Sequence, residues 1–378
     1  MPSNLASVVR LALHLGFTAF GGPAAHIAML REHAVTRRKW LSEQEFLDLL
    51  GLTNLIPGPN STEMVMHVGY KRAGGIGLVL AGMAFILPAA LITLVFAWLY
   101  MRYGTTPEGD WILEGIKPVV LAVVLQAIWN LGRTAFKSRL LATIGVIVFG
   151  LYLLGWNEIL LLFGAALAYA AITRILPRIS SIRTFAMPPL LLIPAMLATT
   201  AATPYSGGRL LLGFLKIGTF LYGSGYVLVA FLQSEFVDRL GWLTREQLLD
   251  AVAVGQFTPG PVFTTATFVG YVIAGFPGAA LATIGIFLPA FIFAAIVHPI
   301  MPRLMALTWT RPLLDAINVA AIGLMAGVAL TLARDALVDM PTLLLGGIAL
   351  VLLVRFRINS ALLILGGALA SGAMTAVS

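Results

Sequence analysis

The stretch Leu55-Ile56-Pro57-Gly58-Pro59-Asn60-Ser61-Thr62-Glu63 has an echo in Thr258-Pro259-Gly260-Pro261-Val262-Phe263-Thr264-Thr265, about 202 residues further on. Two prolines bracketing a glycine do not continue a helix, because proline lacks the N–H and clashes with the preceding turn. Each triplet therefore sits between two helices that are too short to cross a bilayer. The echo extends outward from the triplets in both directions. Gly16 matches Gly218, Gly21 matches Gly223, Trp40 matches Trp242 and Asp48 matches Asp250. After one residue of slippage, Val68-Gly69-Tyr70 matches Val269-Gly270-Tyr271, and Leu87-Pro88-Ala89 matches Leu288-Pro289-Ala290. Any two membrane segments share Leu, Ala and Gly, but not Trp, Asp and Pro-Gly-Pro in one order. The chain reads as two copies of one unit, residues 1–183 and 209–378, joined by a Pro-rich linker over 184–208.

Lipid is the main solvent for these residues. Of 378 residues, 59% are apolar and 11% charged, a balance that a soluble core of this size does not need. Apolar runs near the 20 or so residues that span a bilayer occur at about residues 8–33, 78–102, 113–132, 139–155, 158–174, 210–234, 278–301, 313–333, 340–354 and 358–377. An all-α, polytopic membrane protein with about ten crossings is predicted. With each Pro-Gly-Pro at the tip of a re-entrant hairpin, each copy crosses five times, and the odd number inverts the second copy relative to the first. Basic residues favour the cytoplasmic side. Placing the loop 31–39 inside puts most of the 24 basic residues inside and most of the 16 carboxylates outside, Glu108, Asp110, Glu114 and Glu158 among them. Both termini then fall on the outer, periplasmic side. A crossing by the segment from Pro188 to Pro204 weakens that asymmetry, so the linker is read as non-spanning. Loop orientation accounts for the net charge of +8, and nucleic acid is not a predicted partner. The chain has no cysteine, which removes disulfides and thiolate chemistry.

Irregular backbone at membrane depth is tolerated only where protein or a water-filled cavity surrounds it. Four breaks occur in matched pairs: Gly21-Gly22-Pro23 with Gly223-Ser224-Gly225, and Pro57-Gly58-Pro59 with Pro259-Gly260-Pro261. Broken helices in corresponding places of inverted repeats point to a transport site near the midplane; kinks that let helices pack closely are the alternative. A new helix begins after each triplet, and its leading N–H groups favour anions. Asn60, Ser61 and Thr62 in the first copy, and Thr264 and Thr265 in the second, add amide and hydroxyl donors there. Neutral donors suit a tetrahedral oxyanion that is bound and then released. Helix capping by Asn60, with Glu63 three residues on, is the competing role. Glu63, an intramembrane carboxylate, is a candidate for proton coupling, against capping or pairing with Lys71 or Arg72. Lys216 and its mate His14 are candidates for attracting an anion, against snorkelling to the interface. Lys71 and Arg72, with Arg37, Arg38 and Lys39, concentrate anions at the inner mouth or simply set orientation. The five histidines have no H-E-x-x-H spacing, and neither a phosphate-binding G-x-x-x-x-G-K-[ST] loop nor a G-x-S-x-G elbow is present. No metal, cofactor or enzymatic activity is predicted.

Phe20-Gly21-Gly22-Pro23, Arg38-Lys39-Trp40-Leu41, Leu55-Ile56-Pro57-Gly58-Pro59, Gly69-Tyr70 with Ala73-Gly74, and Leu87-Pro88 together resemble the chromate ion transporter family, and the weaker copies from Gly218 to Ala290 resemble its second domain. The resemblance covers nearly the whole chain, as in the long, two-domain members. It implies a multi-pass protein of a prokaryotic inner membrane that exports chromate, a structural mimic of sulfate, and so confers chromate resistance. Tyr222-Gly223-Ser224-Gly225 replaces Phe20-Gly21-Gly22-Pro23 in the second copy, so the half-sites need not contribute equally. Sulfate or another oxyanion as substrate, and a channel-like anion conduit, stay open beside chromate export, as do uniport and proton antiport. An intramembrane enzyme acting on lipid head groups needs a nucleophile or metal site that the sequence does not offer. Gly366-Gly367 provides a small-residue surface for a homodimer or for packing within the chain.

Overall fold

Glycine and proline cut the apolar stretches into shorter rods. The computed structural model describes residues 4–104, 106–175, 204–222, 225–305, 310–356 and 358–375; most of the expected linker, and Gly223 and Ser224, lie outside them. Among the described residues every regular element is helical. The first copy contributes α1 (Asn4–Thr18), α2 (Gly22–Arg31), α3 (Glu43–Thr53), α4 (Asn60–Tyr103), α5 (Pro107–Ala135), α6 (Arg139–Leu153) and α7 (Glu158–Ala170). The second repeats the order with α8 (Gly207–Phe220), α9 (Leu228–Leu232), α10 (Arg245–Phe257), α11 (Thr265–Met305), α12 (Thr310–Ala336), α13 (Met340–Phe356) and α14 (Ser360–Thr375). Wider, π-helical turns extend α2 over Glu32–Arg37 and α9 over Gln233–Arg239.

α1 and α2 do not form one broken span, as residues 8–33 were expected to. Gly21 and Gly22 take φ of 99° and 77°, a left-handed region open to glycine, and there the chain turns back. His14 consequently meets His33 edge-on, with ring centroids 5.2 Å apart. The second copy has the same antiparallel pairing: Phe214 packs on Phe236 at 4.6 Å and Tyr205 on Trp242 at 5.5 Å. Residues 210–234 are therefore two rods as well.

α3 begins at a capping box, in which Ser42 Oγ accepts from the Glu45 N–H and the Glu45 carboxylate accepts from the Ser42 N–H; Thr244 and Gln247 do the same for α10. α3 runs in to the Pro-Gly-Pro turn and the first arm of α4, residues 60–72, runs out again. Their open end is closed by Lys71 with Glu45 (3.4 Å) and by the Arg72 guanidinium over the Trp40 ring. At Ala73 and Gly74 the helix breaks once more, with Gly74 at φ 65°, and the second arm folds back on the first. A Cβ on Gly69 would run into the Gly77 carbonyl, and one on Gly77 into the Gly69 carbonyl. Ala274–Gly275, with Gly270 against Gly278, repeats the device in α11.

The second arm of α4, residues 75–103, is about 43 Å long, more than the roughly 30 Å of hydrocarbon. Residues 60–103, 111–135, 262–301 and 312–336 are long and apolar enough to cross a membrane, and shorter apolar helices accompany them. Large apolar side chains such as Leu154, Leu160, Leu167 and Leu369 point outward, as suits contact with lipid. The two copies interlock reciprocally: α5 lies on α13 and α14, α12 on α6 and α7, α4 on α11, and α5 on α12. Small residues permit this. A Cβ on Gly115 would meet the Gly367 backbone, and one on Gly323 the Gly145 carbonyl. Gly367 is thus used within the chain, whereas a Cβ on Gly366 meets nothing within 4 Å. The result is an all-α, multi-pass membrane protein.

Because backbone occupies the space beside Gly69 and Gly270, Gly69→Val and Gly270→Val should each cost about 3 kcal/mol or more and sharply reduce monodisperse protein on size-exclusion chromatography. Gly75→Ala, where a Cβ meets nothing within 4 Å, should stay within about 0.5 kcal/mol of the parent in a detergent thermal melt.

Candidate functional site

A helix that ends in lipid leaves carbonyls without partners. α1 and α8 end in this way at Ala19 and Leu221, and each is completed by the triplet of the opposite copy. The Gly58 N–H donates to the Leu221 carbonyl and the Gly260 N–H to the Ala19 carbonyl, both at 2.9 Å. Gly58 and Gly260 have φ of 139° and 85°, and a Cβ on Gly260 would sit 2.7 Å from the Ala89 methyl, so glycine is needed at these crossings. The two triplets therefore meet the two helix ends at a single centre.

A cavity of about 870 Å³ opens at that centre. Gly21, Pro59, Asn60, Ser61, Gly225 and Pro261 line it, which brings together residues from all four breaks. Asn60 and Ser61 begin α4, so their N–H groups have no intrahelical acceptor, whereas the N–H groups of Thr62 and Glu63 bond the Pro59 carbonyl. Asn60 Nδ2 donates to Asn54 Oδ1 at 2.8 Å, which orients the amide beside the cavity.

The other expected site residues lie elsewhere. Pro57, Gly58, Pro259 and Gly260 form the crossing tips and do not line the cavity, and Gly22 is buried behind Gly21. Thr62 is fully buried. Thr264 and Thr265 spend their hydroxyls on the carbonyls of Pro261 and Val262, so the second copy presents Val262 and Phe263 to the cavity where the first presents Asn60 and Ser61. Gly223 and Ser224 fall outside the described residues. Asn60 does not cap with Glu63: the residue before α4 is Pro59, and no side chain caps that helix. Lys71 and Arg72 are engaged at the open end of the hairpin. Glu63 itself is 0% exposed, and among the described residues neither of its carboxyl oxygens has a hydrogen-bond partner. Lys216 does not face the cavity either. Its Nζ is 3.0 Å from Glu235 and 3.5 Å from Glu158, Glu235 also binds Arg239, and Ser234 donates to Glu158 at 2.7 Å. His14 is exposed and rests on His33.

Reading the breaks alone missed the far wall. Gln126, Asn130 and Thr134 project from α5 and Asn318 from α12. The spacing of the first three, i, i+4 and i+8, is a polar stripe on one face of an apolar helix, and it was available in the sequence. Lys137 and Asp315, at the rim, are the charged residues in the lining, and they pair at 2.7 Å. Gln126 Nε2 donates to the Leu353 carbonyl and the Thr134 hydroxyl to the Leu131 carbonyl, each at 2.9 Å, so the cavity has an uncharged polar lining with a self-neutralised pair at its mouth. Among the described residues no group of three His, Cys, Asp or Glu could hold a metal.

This architecture has close sequence counterparts. The "Probable chromate transport protein" of Synechococcus elongatus is 33% identical over 92% of this chain and 89% of that protein. The "Chromate transport protein" of Cupriavidus metallidurans is 31% identical over 97% of this chain and 92% of its own length, and that of Pseudomonas aeruginosa is 30% identical over 98% and 92%. No solved structure matches. The profile described as "Chromate transporter" matches residues 6–170 and again 208–372, one match for each repeat, and the chain belongs to the chromate transporter family.

Proposed function

We propose that the protein is a secondary transporter that exports chromate across a prokaryotic inner membrane by alternating access, giving chromate resistance. The observation that carries this reading is the cavity at the junction of the four breaks, where free leading N–H groups and uncharged amides face a space large enough for a small oxyanion. Neutral donors hold a dianion without the permanent countercharge that would slow its release. The named relatives supply the substrate. Moving one charge through 100 mV is worth about 2.3 kcal/mol, so a dianion leaving an inside-negative cell gains about twice that, with or without protons.

Alternation needs two faces, and the pairings at the helix ends support an inverted relation between the repeats. The second arm of α4 starts at the open end of its own hairpin, beside Lys71 and Trp40. It finishes where Tyr100 donates to Asp250 at 2.9 Å, near the start of α10. α11 mirrors this by finishing with His298 against Tyr70, ring centroids 4.0 Å apart. On this reading the hairpins open on opposite membrane faces. The face bearing Arg37, Arg38, Lys39, Lys71 and Arg72 is cytoplasmic, and the large cavity opens to it past Lys137. A smaller cavity of about 440 Å³ beside Tyr100, Lys117 and Asp250 would open in the outward state. Because α1 folds back on α2, the start of α1 shares the basic face, in place of the external N-terminus expected from a single crossing. The end of α14 lies beside Trp111, against which a Cβ on Gly372 would collide, on the opposite face.

Everted vesicles, which expose the cytoplasmic side, should accumulate chromate saturably, with sulfate competing weakly; large unitary currents would instead identify a conduit, and sulfate preferred over chromate would reassign the substrate. Asn60→Ala removes a donor to a charged guest and should weaken chromate binding about tenfold. Asp315→Asn frees Lys137 at the mouth, so initial uptake should rise a few-fold at low ionic strength, a gain that disappears in ~1 M salt.

A further inference from the structure

The first arm of α4 carries a row of groups that the anion site does not use. Glu63, His67 and Tyr70 follow Asn60 at helical spacing along one face, leading from the cavity edge toward the basic face. Glu63 and His67 are each 0% exposed, and among the described residues both Glu63 oxygens and His67 Nε2 have no hydrogen-bond partner. The other ring nitrogen of His67 crosses the boundary between the repeats: His67 Nδ1 and His298 Nδ1, on α11, are 2.9 Å apart. His298 is half-buried and lies over Tyr70. Two neutral imidazoles that share one hydrogen bond must adopt opposite tautomers, one donating from Nδ1 and the other accepting there.

We infer that Glu63, His67 and His298 form a proton path between the centre of the transporter and its basic face, separate from the vestibule that admits the anion. This rests on the chromate-transport reading above. The Glu63 carboxyl releases its proton, across a bridging water, to His67 Nε2. His67 passes the proton on its Nδ1 to His298 Nδ1, and His298 releases one from Nε2 at the face; the reverse sequence carries a proton from the face to the centre. Only protons move; one passage leaves His67 protonated on Nε2 and His298 on Nδ1, and reorientation of the two rings restores the starting tautomers before the next proton passes in the same direction. The surroundings suit a path with few competing charges. The Tyr222 hydroxyl lies within electrostatic range of Glu63. Lys71, held by Glu45 (3.4 Å), is the charged group acting on His298. The second repeat has Thr265 and Phe268 at the positions of Glu63 and His67, so the path has no counterpart starting from the second hairpin and reaches one face.

Full-length protein in proteoliposomes, with pyranine trapped inside and chromate added, tests this. The parent should couple chromate flux to an opposing proton flux. His67→Gln should reduce the proton signal at least tenfold while chromate binding, followed by equilibrium dialysis, stays within twofold. His298→Gln, at a half-exposed position that puts less of the fold at stake, should do the same. Full proton signals in both variants, or chromate flux by the parent without proton movement, would overturn the path. A parent that binds no chromate would instead overturn the transport reading on which it rests.

Discussion

A peptide group stranded in hydrocarbon costs several kcal/mol, and this chain strands peptide groups at four places. Two of the helix ends are completed by exchange: the Gly58 N–H bonds the end of α8, and the Gly260 N–H bonds the end of α1. Each repeat thus lends a backbone donor to the other, beside the His26 ring that also meets the Ala19 carbonyl, at 3.0 Å, within the first copy. The tips of both hairpins are drawn to one point, which makes that point the place where polar backbone is concentrated. The cavity at that point follows from the same requirement. The glycine contacts at Gly69, Gly77, Gly270 and Gly278 keep the arms close enough for the tips to reach.

Reciprocal architecture does not make the two halves chemically equal. The first repeat presents amide and hydroxyl groups to the cavity, and the second presents Val262 and Phe263 while its threonines cap their own turn. Charge is likewise sorted. Lys216, Glu235, Glu158 and Arg239 neutralise one another at the junction of α7, α8 and α9, which spares the centre a fixed cation. In the first repeat His14 and His33 occupy the places of Lys216 and Glu235. Duplication supplied the frame, and divergence gave one half the donors and the buried carboxyl and the other half apolar walls.

Placement of the titratable groups fits this division. Glu63 has no partner among the described residues, yet it lies directly behind Gly58, where a Cβ would collide with it. A glycine required by the backbone crossing thus also makes room for an ionisable side chain at the centre. The constraint that builds the central cavity and the constraint that shelters Glu63 share one residue.

Much of this was legible in the order of residues. Hydropathy made the chain an all-α membrane protein, because only helices and closed barrels satisfy backbone in lipid. Matched Pro-Gly-Pro triplets located the breaks, since proline and glycine act on the backbone locally, whatever surrounds them. Local chemistry did not say whether a glycine break continues a helix or reverses it, so residues 8–33 were expected to cross where they turn back; the sign of φ at Gly21 and Gly22 is set by packing. Nor did it say which face of α5 would meet the triplets, though Gln126, Asn130 and Thr134 were in plain view. The partners of Gly58, Lys216 and His67 lie from 19 to 231 residues away, and hydrogen bonds and ion pairs act over a few ångströms of space, not along the chain. Composition and pattern thus determined the solvent, the repeat and the places where helices end, and tertiary packing alone decided what those ends face.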